Sequence, residues 1–198
     1  MSLILASSSP FRKAILDKLG LDFEVVAPEI NEDRRVNESP IDLVTRLSKE
    51  KALAVAVAKS KTGLIIASDQ VATLDTGYKA NDSILTKPGS HENAFLQLKK
   101  SSGKTVNFLT GLVLMNTKNL NTQVHVEHFK VSFKPLSDNQ ILNYLSKENV
   151  LNCAGSFKSE GLGIALFTEM EGNDPNSLIG LPTIQLIDML AKENVHVL

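Results

Sequence analysis

Apolar residues along the chain fall in short blocks whose spacing alternates between strand and helix. Leu3-Ile4-Leu5-Ala6 is a strand-like run, and the segment after it puts Ile15, Leu16 and Leu19 on one side of a helix. Ser9 as N-cap and Pro10 at the first helical position mark where that helix starts. A second strand is predicted over residues 23–26. Ser39-Pro40 repeats the cap-and-proline device and opens a long helix to about residue 60, with Leu43, Leu47, Ala54 and Val57 sharing its buried side. Leu64-Ile65-Ile66-Ala67-Ser68 is a continuous apolar run of the kind found in a strand covered on both faces.

Residues 76–88 contain Gly77, Asn81-Asp82 and Pro88-Gly89, which predict a loop or hairpin, followed by a helix over residues 90–101. Residues 106–115 and 123–133 read as paired antiparallel strands around a polar turn at 116–121. A short helix over 136–147 with Ser137 as cap, a glycine-rich segment, a strand over 163–167 and a terminal helix over 182–193 complete the pattern. Strands alternating with helices, plus an antiparallel pair, predict an α/β fold. Its sheet is mixed and twisted, flanked by helices, with two lobes and a cleft between them. At 198 residues the chain suits a single domain over 1–198.

Composition narrows the function classes. A hydrophobic share of 42% and a charged share of 22% suit a soluble globular protein. A net charge of -1, no Trp and 5% aromatics argue against a nucleic-acid binder. No apolar run is long enough to span a bilayer and the N-terminus has no signal-peptide pattern, so no membrane partner and a cytoplasmic location are expected. The single cysteine, Cys153, excludes an intrachain disulfide, fits a reducing compartment, and reads as a small apolar packing residue.

The candidate chemistry concerns phosphate. A strand, the turn Ser7-Ser8-Ser9 and a helix opened by Ser9-Pro10 form an anion site of backbone N–H groups, hydroxyls and the positive helix end, to which Arg12 adds a forked cation. Asp69, at the predicted end of the central strand, stands where open α/β sheets place ligands. A carboxylate there can hold a divalent cation, Mg2+ or Mn2+, and deprotonate a water. Glu32, beside Asn31, can supply a second oxygen ligand, and Glu29 is a weaker third. Lys51, Lys87 and Lys158 are cations for phosphate oxygens. His125 and His128 are three apart in a predicted strand and point to opposite faces, so they form no metal pair. Walker, GxGxxG, HExxH and nucleophile-elbow motifs are absent from the sequence. Each of these residues alone also suits an ordinary cap, turn or solvated face; together they point to metal-assisted phosphate chemistry.

In this order the pieces resemble the Maf-like nucleotide pyrophosphatases. The resemblance rests on Leu5-Ala6-Ser7-Ser8-Ser9-Pro10-Phe11-Arg12, Pro28-Glu29-Ile30-Asn31-Glu32, Lys51-Ala52, Ser68-Asp69-Gln70, Lys87-Pro88 and Gly180-Leu181-Pro182, and it covers essentially the whole chain. It implies a Maf/Ham1-like (ITPase-like) fold and hydrolysis of a nucleoside triphosphate to the monophosphate and pyrophosphate with a divalent cation. Water would attack the α-phosphorus. By this resemblance Asp69 accepts the proton and holds the metal with Glu32, while Ser8, Ser9, Arg12, Lys51 and Lys87 bind the phosphates.

The family branch acting on dTTP and UTP has arginine, threonine and glutamine where this chain has Phe11, Gln70 and Glu160. The combination is similar to the branch that hydrolyses 7-methyl-GTP. An aromatic ring at Phe11 suits stacking on a cationic methylated purine, and Glu160 can accept from a guanine edge. One departure is Asn31, where the family often has an acid. The alternatives are a dTTP/UTP or modified-purine pyrophosphatase, and a non-enzymatic binding protein of cell division. A homodimer is an expectation by family analogy.

Overall fold

A computed structural model describes residues 2–58 and 63–198. Six strands form one sheet in the order β2-β1-β3-β4-β5-β6. They are β1 (Ser2–Ala6), β2 (Glu24–Val26), β3 (Gly63–Thr73), β4 (Thr105–Asn116), β5 (Thr122–Phe133) and β6 (Phe167–Glu171). β1 runs parallel to both β2 and β3, and every later pairing is antiparallel, so the sheet is mixed as predicted. The described α-helices are α1 (Pro10–Asp17), α2 (Pro40–Ala58), α3 (His91–Ser101), α4 (Asp138–Leu145), α5 (Pro175–Ile179) and α6 (Thr183–Lys192). None is long and apolar enough to cross a membrane.

The two-residue period of the strands sorts the core. Leu64, Ile66, Leu112 and Leu114 face α1 and α6 with Leu16, Leu186 and Leu190. Ile65, Ala67, Val113 and Met115 face Ala52 and Val55 of α2. A separate apolar core gathers Phe108, Phe129, Val131, Phe133, Phe157 and Phe167 under α3 and α4. Phe157 meets Phe108, Phe133 and Phe167 edge-on, with centroids 5.3, 5.5 and 4.8 Å away. These cores at the two ends of the sheet are the two predicted lobes.

β3 bridges them. It pairs with β1 only as far as Ala67 and then continues along β4 to Thr73. The sequence placed the strand's end at Asp69; the polar Ser68, Asp69 and Gln70 instead lie inside the strand, because β4 still pairs with it there. Asp69 nevertheless stands just beyond the carboxyl end of β1, where the sheet is uncovered on that side. Gly111 is the register partner of Asp69. A methyl group added there would come within 2.6 Å of both the Val44 carbonyl and the Ser48 hydroxyl of α2. The missing side chain therefore lets α2 close onto the sheet beside Asp69.

Other sequence expectations are corrected. Residues 162–166 form a 3₁₀ helix, and the last strand is Phe167–Glu171 rather than 163–167. The glycines there favour a tight turn over an extended run: Gly163 N donates to Lys158 O at 3.1 Å. Val57 is 77% exposed, and its buried-side role on α2 belongs to Val55. The predicted end of that helix near residue 60 lies outside the described residues. Of the loop or hairpin expected over residues 76–88, the structure has the loop, with one isolated bridge between Ala72 and Leu85. α5 was not predicted at all. Ser9, Ser90 and Ser137 cap α1, α3 and α4, and Ser39 Oγ accepts from Asp42 N at 3.2 Å to cap α2.

Candidate active site

The turn after β1 is held by its own hydroxyls. Ser7 Oγ accepts from Ser9 N at 3.1 Å, and Ser9 Oγ accepts from Arg12 N at 3.4 Å. Ser8 is left exposed at the surface of the cleft. One turn into α1, Arg12 Nε donates to Gly180 O at 2.8 Å, so the loop after α5 aims the guanidinium. Ser68 Oγ donates to the same carbonyl at 2.8 Å. Burial lowers the Arg12 pKa, opposed by the charges of Asp69 and Glu32, which keep the cation in company with two carboxylates.

Asp69 and Lys51 are both buried, and Lys51 Nζ donates to Asp69 Oδ1 at 2.5 Å. Lys51 Nζ also lies 2.8 Å from Glu32 Oε1, so one ammonium bridges an acid on β3 and an acid on the loop before α2. Burial would push the Glu32 pKa up, but the Lys51 hydrogen bond and the charges of Lys51, Lys87 and Arg12 outweigh it and hold the pKa below its ordinary value. The group is charged, compact and open to solvent on the Glu32 side.

These groups lie on the wall of a cleft of about 900 Å³, a size that suits a nucleotide. Ten of the residues singled out in the sequence line it: Ser8, Ser9, Phe11, Arg12, Glu32, Lys51, Asp69, Gln70, Lys87 and Glu160. Lys158 lines it too, with its Nζ 6.0 Å from the centre of the Phe11 ring. Lys87 is set by its neighbours, since Thr86 O and Pro88 O each accept at 3.0 Å from Gln97 and Asn93 of α3. Glu160 is exposed where it lines the cleft.

The departing Asn31 and the weaker candidate Glu29 both turn elsewhere. Asn31 Oδ1 accepts from Asp33 N at 2.8 Å in a local turn, and Glu29 is exposed away from the cleft lining. Gln70 alternates with Asp69 to the other face of β3, where its Nε2 donates to Thr110 Oγ1, Ser177 O and Leu178 O at 3.0, 2.7 and 3.2 Å. Its amide nitrogen thus holds the carboxyl end of α5. Cys153, expected as a small buried apolar residue, packs against the phenylalanine core but is only half-buried and lines the cleft; burial raises its pKa. Arg34, Asn149 and Asn152 are cleft residues that the sequence did not reveal. Gly111 was legible in principle, as a glycine inside an otherwise apolar strand.

The profile of the family described as "Maf-like protein" matches residues 2–193. The 7-methyl-GTP pyrophosphatase of Alcanivorax borkumensis is 52% identical over 195 residues, covering 98% of this chain and 95% of that protein. The chain belongs to the Maf-like family. Proteins of the same name from Aliivibrio fischeri and Pseudoalteromonas atlantica are 50% and 52% identical, over 99% and 100% of this chain and 98% and 97% of theirs. Among solved structures, the Ham1 protein of Staphylococcus aureus matches with a TM-score of 0.50 at 12% identity, covering 98% of this chain and 100% of that one. At that identity the likeness concerns the fold, which agrees with the mixed open sheet described above.

Proposed function

We propose that this Maf-like protein hydrolyses 7-methyl-GTP to 7-methyl-GMP and pyrophosphate. The observation that carries the reading is the identity of about half of all positions, over nearly the full chain, with proteins named for that activity. The site supplies matching chemistry. Water attacks the α-phosphorus, the bond from that phosphorus to the bridging oxygen breaks, and pyrophosphate leaves. Asp69 takes the proton of the attacking water. Lys51 has three N–H donors; the two carboxylates engage two of them, and the third is available to a phosphate oxygen. Arg12 and Lys87 bind further phosphate oxygens, beside the Ser8-Ser9 turn.

Asp69 and Glu32, brought together by Lys51, suit a magnesium or manganese ion, because such ions take one or two carboxylates and complete their shell with water and substrate phosphates. When bound, the ion would neutralise phosphate charge and lower the pKa of a bound water. Phe11 and Glu160 line the same cleft and are our candidates for base selection. The Lys158 ammonium lies 6.0 Å from the centre of the Phe11 ring, so a cationic purine stacked on that face would displace it. The lone cysteine is consistent with a reducing cytoplasm.

A panel of 7-methyl-GTP, GTP, UTP, dTTP and ITP, assayed for pyrophosphate release with either cation, tests the reading. Preference for 7-methyl-GTP, with solvent ¹⁸O entering the monophosphate, is expected. The Phe11→Arg, Glu160→Gln double variant should lose that preference relative to UTP. Preference for a pyrimidine by the wild type, or label in pyrophosphate, would overturn the substrate or the site of attack.

A further inference from the structure

Within the Asp69–Lys51–Glu32 group, Asp69 is carried by β3 and Lys51 by α2, but Glu32 lies in a segment, residues 27–39, with neither helix nor strand. Its place depends on what grips that segment. From α2, Arg46 Nη2 donates to Asp33 O at 2.9 Å, while Arg46 Nε lies 2.6 Å from Glu38 Oε1. The other grip comes from the segment itself. The half-buried Arg34 sends Nε to Glu38 O at 2.7 Å, Nη1 to Asp82 O at 2.9 Å and Nη2 to Ala80 O at 3.0 Å. One guanidinium thereby closes its own turn and bolts it to the loop between β3 and α3.

The anchor on the far side is firm. Asp82 is buried, and its Oδ2 accepts from Thr76 Oγ1, Gly77 N and Lys79 N at 3.1, 2.7 and 3.2 Å. Gly77 O in turn accepts from Ile41 N of α2 at 3.0 Å. The loop that receives Arg34 is also the one that carries Lys87. All three Arg34 acceptors are backbone carbonyls in a fixed fan, a geometry that a planar guanidinium fits and an ammonium does not.

We propose that Arg34 is a positioning residue that holds Glu32 against Lys51 by fixing the 27–39 segment to the loop ending at Lys87. Its consequence for hydrolysis rests on the 7-methyl-GTP reading, whereas its effect on the segment does not. The test combines a double-mutant cycle with amide hydrogen exchange, using Arg34→Met, Glu32→Gln and the double variant. Arg34→Met should lower kcat/KM for 7-methyl-GTP about tenfold or more. In the Glu32→Gln background it should cost less than about twofold, because the group it positions is already altered. Amides of residues 31–38 should exchange about tenfold faster in Arg34→Met, while those of 43–55 in α2 stay protected. An equal loss in both backgrounds, or unchanged exchange at 31–38, would overturn the proposal. If the wild type does not turn over 7-methyl-GTP, the hydrolysis reading fails and the exchange measurement alone decides for or against the clamp.

Discussion

On the α2 side of β3, Asp69 meets the buried Lys51 ammonium beside the cleft. On the opposite side its immediate neighbours Ser68 and Gln70 donate to the carbonyls of Gly180, Ser177 and Leu178. Three consecutive polar residues thus serve two ends, and the strand's period of two divides them. One face concentrates charge next to open space. On the other, the uncharged Ser68 and Gln70 satisfy the carboxyl end of α5 and fix the carbonyl that aims Arg12, with Gln70 also bordering the cleft. The contrast shows why a short motif in a strand need not be a single unit: the buried charge pair sits on one side, and the hydrogen bonds that fix α5 on the other.

Substitutions on the two faces should separate activity from stability. The largest effect expected is from Asp69→Asn, with kcat for 7-methyl-GTP falling by about 10³-fold and the protein remaining folded by circular dichroism. Gly111→Ala, opposite Asp69, strikes the support of the charged face. Its methyl group would press on the α2 backbone, costing about 3 kcal/mol in chemical denaturation and lowering kcat as Lys51 shifts. Wild-type stability in that variant would show that α2 has room to spare. Gln70→Leu breaks the neutral face, and leaving a buried carbonyl without its donor should cost about 1–2 kcal/mol. A larger fall in kcat for Gln70→Leu than for Asp69→Asn would reverse the roles given to the two faces.

The smallest effect concerns the segment that brings Glu32 to the charged face. The Arg46 hydrogen bond holds the Glu38 pKa down to about 2, against burial and with help from the Arg35 amide and nearby cations. A depressed carboxylate stabilises the fold above its ordinary pKa of 4.5, and the benefit is lost as pH falls towards 2. The gap in Tm between wild type and Glu38→Gln should therefore be full at neutral pH and close across that acidic window. A gap that is constant with pH would mean that the ion pair is not its source.

Much of this was legible because it is local. Serine caps, the prolines after Ser9 and Ser39, and the apolar runs of β1 and β3 predict their own elements from nearest neighbours, and the motif residues converge on one cleft as expected. What escaped the sequence is decided by distant contacts. The end of β3 depends on β4, the face taken by Gln70 depends on α5, and α5 itself is a five-residue helix between Asp174 and Gly180 that periodicity cannot reveal. Arg34 reads as one more surface cation until its three carbonyl acceptors, two of them far along the chain, are seen together. Gly111 carried a signal, but its meaning required the α2 backbone.

The proposal most open to test is that the charged face of β3 drives hydrolysis of a 7-methylated purine nucleotide. The direct measurement is pyrophosphate release from 7-methyl-GTP by wild type and Asp69→Asn, side by side with their melting curves. Rapid release by the wild type, lost in a variant that melts as a folded protein, is the predicted result. Equal release by both would remove Asp69 from the chemistry, and no release by a well-folded wild type would contradict the assignment of the activity.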